Sequence, residues 1–504
     1  MHLLRIPLLA FVVLWLLSAQ AQTSPAVVVP GETWTAATPA EAGMDPLALA
    51  TMLEFGANVQ MDSLFVARHG KVVVDAYYAP FARGMKHRIN SATKAVVGAL
   101  TGIAIDRGVL PATDAALLPL FGQREIANLD EHKRAVTLQT LLDMTSGLEW
   151  TEPLHGDAGA QSMIAAERSG DWLRYILNQP MAQAPGASFN YSSGNSHLLS
   201  ALIMQRSNMP TQAFAQRHLF APIGIKAYRW RQDPQGVAVG GYGLYLAPPD
   251  MARLGQLYLQ RGQWNGRQVI PAAWVDRVFN ASVPMNAGGQ WLYADGWWVR
   301  PDRKAYLMVG QFRQLVIVLP DLGIVAAATG RFHYPIENLL DHLRRAAAAS
   351  SAPDAQASLG VQQAIARYAS EPSRAVALPA KATEVSGRRF KLAANDFGWN
   401  EVMIQFGDKP TYEVMLSLPP TGRIVRSVRP VGVDGRYVTT VMPDGVVLSN
   451  KAEWMDENRL RITVRLPEET ATLLYDIRFE GDRIEIVSTD ASGARKTVTG
   501  ERVR

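Results

Sequence analysis

Residues 63–78, SLFVARHGKVVVDAYY, hold two β-branched and aromatic runs separated by His69-Gly70. That pattern predicts a β-hairpin closed by a two-residue turn. After Ser91 the period changes: small and apolar residues run through LTGIAIDRG to Gly108, which predicts a helix ended by glycine. TLQTLLDMTSG, from 137, predicts a short helix stopped at Ser146-Gly147. Further helices are predicted over 195–206, 211–219, 249–261 and 271–279, the last opened by Pro271. FRQLVIVLP (312–320) and LGIVAAATG (322–330) predict neighbouring antiparallel strands that turn at Pro320-Asp321, and HYPIENLLDHLRRAAAA (333–349) predicts a closing helix. Strands at both ends with helices between them describe an α+β unit in which the terminal strands share one sheet and helices cover it.

The texture shifts after that helix. ASSAPDAQAS (349–358) is small and polar, and 349–382 is expected to be a linker with room for a helix. From about 383 short alternating runs such as EVMLSLPP, RLRITVRLP, TLLYDIRFEG and RIEIVSTDASG are separated by turn residues. The spacing predicts a small antiparallel barrel or sandwich over 383–504, lipocalin-like by pattern only. No active-site signature is visible in it.

The first residues, MHLLRIPLLAFVVLWLLSAQAQ, place Arg5 before an apolar run from Ile6 to Leu17 and a small-x-small ending at Ala19-Gln20-Ala21. This is the pattern of a secretory signal peptide over 1–21, and the apolar run is short for a bilayer span. An exported protein, periplasmic or secreted and without a membrane anchor after cleavage, is therefore expected. Composition narrows the function classes. Of 504 residues, 48% are hydrophobic and 19% charged, a core-forming balance. Fifty Lys and Arg face 45 Asp and Glu without long runs of either sign, so nucleic acid is not an expected partner. Zero cysteines remove disulfides, thiol nucleophiles and thiolate metal sites together.

RINSATKAVVGAL (88–100) carries the sharpest chemical question, because Lys94 sits in an otherwise small and apolar run. On a helix the step from Ser91 to Lys94 puts both side chains on one face, about 5–6 Å apart. A buried amine either finds a partner or gives up its proton, and an amine beside a hydroxyl is a general base beside a nucleophile. Composition alone yields roughly one Ser-x-x-Lys in a chain this long, so the motif needs company. No Gly-x-Ser-x-Gly and no His-Glu-x-x-His occurs, and the nine histidines are scattered, which argues against an α/β-hydrolase elbow and a zinc hydrolase. FNYSSGNSHLLSAL (189–202) sets Tyr191 and Ser193 in a turn before a helix. In AYLMVGQFRQLVIVLP, Gly310 interrupts strand-like sequence where a ligand could approach the backbone.

The order Ser-x-x-Lys, Tyr-x-Ser and a Gly-containing edge strand resembles the serine β-lactamase and penicillin-binding-protein superfamily, in its class C-related branch. SLFVARHGKVVVDAYY, LLDMTSGLEW, NYSSGNSHLLSAL, GGYGL (240–244) and GQLYLQRGQWNGRQVIP are similar to 6-aminohexanoate-dimer hydrolases and related esterases. The resemblance covers roughly 32–348. It implies a β-lactamase/transpeptidase-like fold, an antiparallel sheet flanked by helices plus an all-helical region, and no cofactor or metal. It also implies Ser91 as the acylated nucleophile, Lys94 as proton acceptor and Tyr191 as proton shuttle. The backbone N–H groups of Ser91 and Gln311 are the implied oxyanion donors.

Two departures stand out. Ser193 replaces the family's usual asparagine, and Met308-Val309-Gly310 replaces the Lys-Thr/Ser-Gly that holds a penicillin carboxylate. Arg313 is a candidate replacement cation or a solvated edge residue. Trp150 and Tyr242 are candidate cleft walls, and core packing would equally explain them. The expectation is an exported serine hydrolase of a small ester or amide. The alternatives are a weak β-lactamase or D-amino-acid peptidase acting on peptidoglycan fragments, and a non-catalytic protein binding cell-wall or lipophilic ligands. Nothing in the sequence indicates an oligomeric state.

Overall fold

Nine strands form one sheet in which Met61–Arg68, from the start of the N-terminal unit, lies beside Ile324–Gly330, the unit's last strand, while the short Thr35–Ala36 pairs parallel with Lys71–Tyr77 at the edge. The computed structural model describes residues 33–154, 161–348, 355–374, 377–395, 398–418, 422–490 and 493–503; the expected signal peptide lies outside them. Met61–Arg68 and Lys71–Tyr77 form the predicted hairpin, with His69 and Gly70 both at positive φ (51° and 78°) as its tight turn requires. Met61–Arg68 then pairs antiparallel with Ile324–Gly330, with Ala326 opposite Val66, 260 positions earlier. Beyond it come Gln314–Leu319, Ala305–Gly310, Trp297–Arg300, Leu292–Ala294 and Val283–Pro284. Two apolar cores cover the two faces of the sheet. One holds Met52, Val74, Ile317, Leu340 and Val361 under the terminal helices, and the other holds Val96, Leu100, Leu202, Leu257 and Val316 under the central ones.

The structure moves two boundaries that matter for the site. Ala305–Gly310 is an inner strand, paired on both sides and with two further strands beyond Trp297–Arg300, not an edge. The strand expected from 312 begins at Gln314, because Phe312 and Arg313 adopt left-handed turn conformations (φ 60° and 64°). The helix expected at 195–206 spans Ser193–Ser207, so Ser193 is its first residue, capped by the Ser192 side chain accepting from Asn195 N–H at 3.2 Å.

Ala355–Tyr368 is a helix packed on Pro46–Asn58 and on the strand Lys71–Tyr77. After it, ten strands from Arg389–Leu392 to Arg495–Arg502 make a near-closed antiparallel barrel. Its interior is filled by side chains: Trp399 packs on Tyr475 at 4.7 Å and Trp454 on Phe479 at 5.8 Å, among Val414, Ile462 and Ile486.

The barrel is fastened to the sheet through buried charge. Asp62, fully buried at the start of the strand Met61–Arg68, accepts from Arg465 (2.7 Å) of the barrel, from Arg331 (3.2 Å) and from His87 Nε2 (3.3 Å). The barrel turn after Arg465 continues the contact: Arg88 N–H donates to Glu468 O at 2.8 Å, Lys86 N–H to the Glu468 carboxylate at 3.0 Å, and the Tyr245 hydroxyl to Glu469. Burial would raise the Asp62 pKa, but the His87 hydrogen bond and the guanidiniums of Arg465 and Arg331 outweigh it and bring it down to about 2. A depressed carboxylate contributes stability present above its unfolded value, 3.8, and lost as pH falls through the folded one. Asp62→Asn should therefore cost about 3 kcal/mol at pH 7, leaving two arginines uncompensated. The deficit relative to wild type should shrink between pH 4 and 2. Urea midpoints of both proteins at several pH values check this, and a deficit constant with pH would refute it.

Candidate active site

Ser91 lies in a single 3-10 turn, Asn90–Ala92, that feeds directly into the helix Thr93–Asp106. Asn90, at φ 48°, turns the chain into that helix, and its side-chain amide donates to Gln311 O at 3.1 Å. This bond ties the nucleophile's turn to the end of the strand Ala305–Gly310. Gly310 is required there by the protein itself: a Cβ would collide with the Ile89 carbonyl. The space where a ligand was expected is thus taken by the backbone before Ser91, and Gln311 follows within a hydrogen bond of Asn90. The Gln314 side-chain amide holds the same turn, donating to Gly330 O (2.7 Å), Gln311 O (3.3 Å) and Phe312 O (3.4 Å). Left-handed backbone at non-glycine residues costs energy, and three such residues, Asn90, Phe312 and Arg313, lie in the two segments that meet at this turn.

Lys94 is 3% exposed and its amine is ringed by oxygen. Nζ lies 3.2 Å from Ser91 Oγ, 2.8 Å from Ser193 Oγ and 2.9 Å from Gly241 O, and it sits 4.5 Å above the centre of the Tyr191 ring. Tyr191 is buried, edge-to-face with Tyr293 at 6.4 Å, so it meets the amine with its ring face.

Glu152 completes the group. Its carboxylate accepts the Ser193 hydroxyl at 2.5 Å, Ser193 N–H at 2.7 Å and Trp150 Nε1–H at 2.7 Å, and it lies 3.9 Å from Lys94 Nζ. The consequence follows from counting donors. Ser193 has one hydroxyl proton, and Glu152 takes it, so only lone pairs face Lys94. With Ser193 Oγ and Gly241 O as pure acceptors toward it, two of the amine's directions are taken by donation, and the third points at Ser91 Oγ; an amine that gives up its proton would hold its lone pair there.

The strap 144–152 explains how these pieces meet. Met144 O accepts Asn190 N–H at 2.7 Å, Ser146 Oγ donates to Asn195 Oδ1 at 3.0 Å, and Trp150 O accepts from Asn190 Nδ2 at 3.2 Å. LLDMTSGLEW and NYSSGNSHLL are therefore one packed unit. Trp150, buried beneath Gly194, orients Glu152 instead of standing exposed in a cleft. Tyr242 turns away from the amine held by its neighbour Gly241; its hydroxyl donates to Glu167 and its ring lies under Arg88 and Arg231. Arg313 is neither a strand cation nor a solvated edge residue: it sits in the turn, its Nε donating to Tyr334 O at 2.5 Å. Sequence reasoning missed Glu152, since a lone acidic residue two positions after a tryptophan carries no signal of its own.

Comparison with known proteins shows the family of the chain. The family model described as Beta-lactamase matches residues 51–350. A curated 6-aminohexanoate-dimer hydrolase of Paenarthrobacter ureafaciens is 24% identical over 257 residues, covering 48% of this chain. The chain spans 64% of the length of that relative. A solved Bacillus anthracis structure, named as a candidate 6-aminohexanoate-dimer hydrolase, aligns with a TM-score of 0.51 at 19% identity over 57% of this chain and 79% of that one. EstCE1, a hydrolase with promiscuous acyltransferase activity, aligns with a TM-score of 0.47 at 16% identity, over 64% of this chain and 99% of that one. At these identities the structural likeness is one of fold.

The donor count makes a prediction. In Glu152→Gln the amide oxygen must stay with Ser193 N–H and Trp150 Nε1–H, which turns the NH2 toward Ser193 Oγ. The freed Ser193 proton then points at Lys94 and occupies its lone pair. Acylation of Ser91 should fall by about 10², the scale of a lost general base, with the melting temperature little changed. An unaltered acylation rate in this variant would show that Glu152 does not orient the pair.

Proposed function

The chain belongs to the β-lactamase family, and on that footing we propose that it is an exported serine hydrolase that cleaves a small ester or amide through an acyl-enzyme on Ser91. The observation that carries the reading is the 3.2 Å approach of Lys94 Nζ to Ser91 Oγ, with the other two directions of the amine already committed. Ser91 Oγ attacks the carbonyl carbon as its proton passes to Lys94. The developing oxyanion is met by the N–H groups of Ser91 and Gln311. The ammonium so formed faces the Tyr191 ring, the Gly241 carbonyl and, at 3.9 Å, the Glu152 carboxylate, which together favour its positive charge. The leaving group departs with that proton, delivered directly or through the Tyr191 hydroxyl. Water then attacks the acyl-enzyme with the same groups running in reverse.

Substrate polarity supports an ester or small amide over a penicillin. Met308 and Val309 are buried in apolar cores where penicillin-binding relatives carry a cation and a hydroxyl, and Arg313 lies outside that strand, in the turn, with its Nε on Tyr334 O. The family relative named for 6-aminohexanoate dimer hydrolysis acts on an amide, which keeps that bond within the proposal. A lipophilic ligand inside the barrel has little support, given the side chains that fill it. Export rests on the pattern of residues 1–21 alone.

Incubation with a fluorophosphonate probe and a short-chain p-nitrophenyl ester tests the reading. Wild type should label and turn over; Ser91→Ala should do neither, and Lys94→Ala should lose at least ~10² in acylation rate. Labelling of Ser91→Ala at the wild-type level would remove the proposal. Penicillin acylation in the same assay should be slow or absent. Tyr191→Phe keeps the ring against Lys94 and removes the hydroxyl. A fall of about 10² in turnover with accumulation of acyl-enzyme by mass spectrometry is expected if the hydroxyl carries protons, and full turnover would assign Tyr191 to the ring contact alone.

A further inference from the structure

Lys94 is aimed partly by a backbone carbonyl, and what fixes that carbonyl lies outside the catalytic group. We infer that His197 is a positioning residue: as the neutral imidazole with its proton on Nε2, it holds the Gly240-Gly241 segment where the Gly241 carbonyl receives Lys94. The inference rests on the hydrolase reading above and extends it beyond the residues that touch the reaction.

His197 lies one helical turn after Ser193 on the helix Ser193–Ser207 and is fully buried. Its two ring nitrogens meet different chemistry. Nε2 faces Asp233 Oδ2 at 3.0 Å, and Nδ1 receives the backbone N–H of Gly240 at 3.4 Å. Asp233 is itself pinned, its Oδ1 accepting Gln235 N–H (2.9 Å) and Val237 N–H (2.8 Å) within a tight turn. Burial works to raise the Asp233 pKa, and these hydrogen bonds with that of His197 more than offset it, so the group is an ionised acceptor. An acceptor at Nε2 requires a proton there, and a donor at Nδ1 requires a lone pair. One tautomer satisfies both.

The segment has no slack with which to ignore this bond. A Cβ on Gly240 would collide with the Ser196 carbonyl, and one on Gly241 with the Ser193 side chain. The two glycines thus lie against the first turn of the same helix that carries Ser193 and His197. Gly240 N–H goes to His197, and Gly241 O, one residue further along, accepts from Lys94 at 2.9 Å. Asp233, His197, the diglycine and Lys94 form one line of hydrogen bonds that ends on the amine next to Ser91. Moving the imidazole proton to Nδ1 would set an N–H against an N–H at Gly240 and push the segment off its seat.

Asp233→Asn makes that change with minimal loss of volume. The two backbone donors at Oδ1 hold the amide oxygen, so the NH2 faces Nε2 and drives the ring proton to Nδ1. Two measurements read the result: the imidazole tautomer by long-range proton–nitrogen NMR, and the labelling rate of Ser91 with the fluorophosphonate. Wild type should carry its proton on Nε2. In Asp233→Asn it should sit on Nδ1, with labelling slowed about tenfold, the rate equivalent of one hydrogen bond's net contribution, and ester KM little changed. Adding His197→Asn, whose Oδ1 can accept Gly240 N–H without a tautomer, should recover part of the loss. That recovery separates positioning from mere destabilisation. Three results would each overturn the inference: an Nδ1 proton in wild type, wild-type labelling in Asp233→Asn, or a double variant no faster than the single. Absence of labelling in wild type would overturn the hydrolase reading, and this one with it.

Discussion

One buried amine sets the terms for the rest of the N-terminal unit. An ammonium or amine taken out of water costs several kcal/mol unless its hydrogen-bonding capacity is met, and meeting it fully would leave nothing for chemistry. Lys94 resolves the conflict by having two of its three directions met by groups that can only accept, Ser193 Oγ and Gly241 O, while the third opens on Ser91. Each acceptor is reliable because something else has already decided its orientation. Glu152 removes the Ser193 proton from the contest, and the diglycine segment is wedged against the helix. This also accounts for serine at 193. An asparagine presents both an oxygen and an NH2, so its flip is a second variable, whereas a hydroxyl whose single proton is taken presents lone pairs alone.

The fold supplies the rigidity this requires. The inner strand Ala305–Gly310, paired on both sides, touches the Ile89 carbonyl through Gly310 and so fixes the height of the Ser91 turn above the sheet. The barrel reaches the same neighbourhood by another route. Arg465 meets Asp62 at the start of the central pairing, and Glu468 O takes the N–H of Arg88, three residues before Ser91. Arg88 also lies on a short strand, His87–Arg88, paired with Leu244–Leu246 just after the diglycine. The C-terminal barrel therefore buttresses the segment that enters the nucleophile's turn and the segment that leaves the Lys94 acceptor. A structural share in the site is visible for it, independent of any ligand.

What could be read from the chain was local in sequence or carried by resemblance. The His69-Gly70 turn, the helix after Ser91 and the Ser91–Lys94 step depend on residues a few positions apart, and alternating runs announced the barrel. Tyr191 and Ser193 came from the likeness to a known family, not from spacing. What escaped was set by tertiary contact. Glu152 meets Ser193 across 41 positions, and Arg465 meets Asp62 across 403; nothing in either neighbourhood marks them. Arg313 was misplaced because the apolar run after it masked a turn held open by Gln314. Gly310 was expected to admit a ligand, whereas the group that approaches it is the chain's own Ile89 carbonyl, a property of the packed sheet.

The same packing bears on why this chain departs from its penicillin-recognising relatives. Met308 and Val309 point to opposite faces of an inner strand, as successive residues must. Met308 joins the core that holds Ile89, Ala92 and Val96, and Val309 joins the one that holds Leu315, Tyr293 and Tyr191. A lysine at 308 would enter an apolar core at a position 1% exposed, opposite Trp297 and Val316 in the flanking strands. With no carboxylate among these neighbours, its ammonium would face the full cost of burial, several kcal/mol, or surrender its charge. The missing cation is thus not a single lapse in a motif. The surroundings of the strand have been built around its absence, and a carboxylate-binding site could be restored only by repacking the core beneath the helix that carries Ser91 and Lys94.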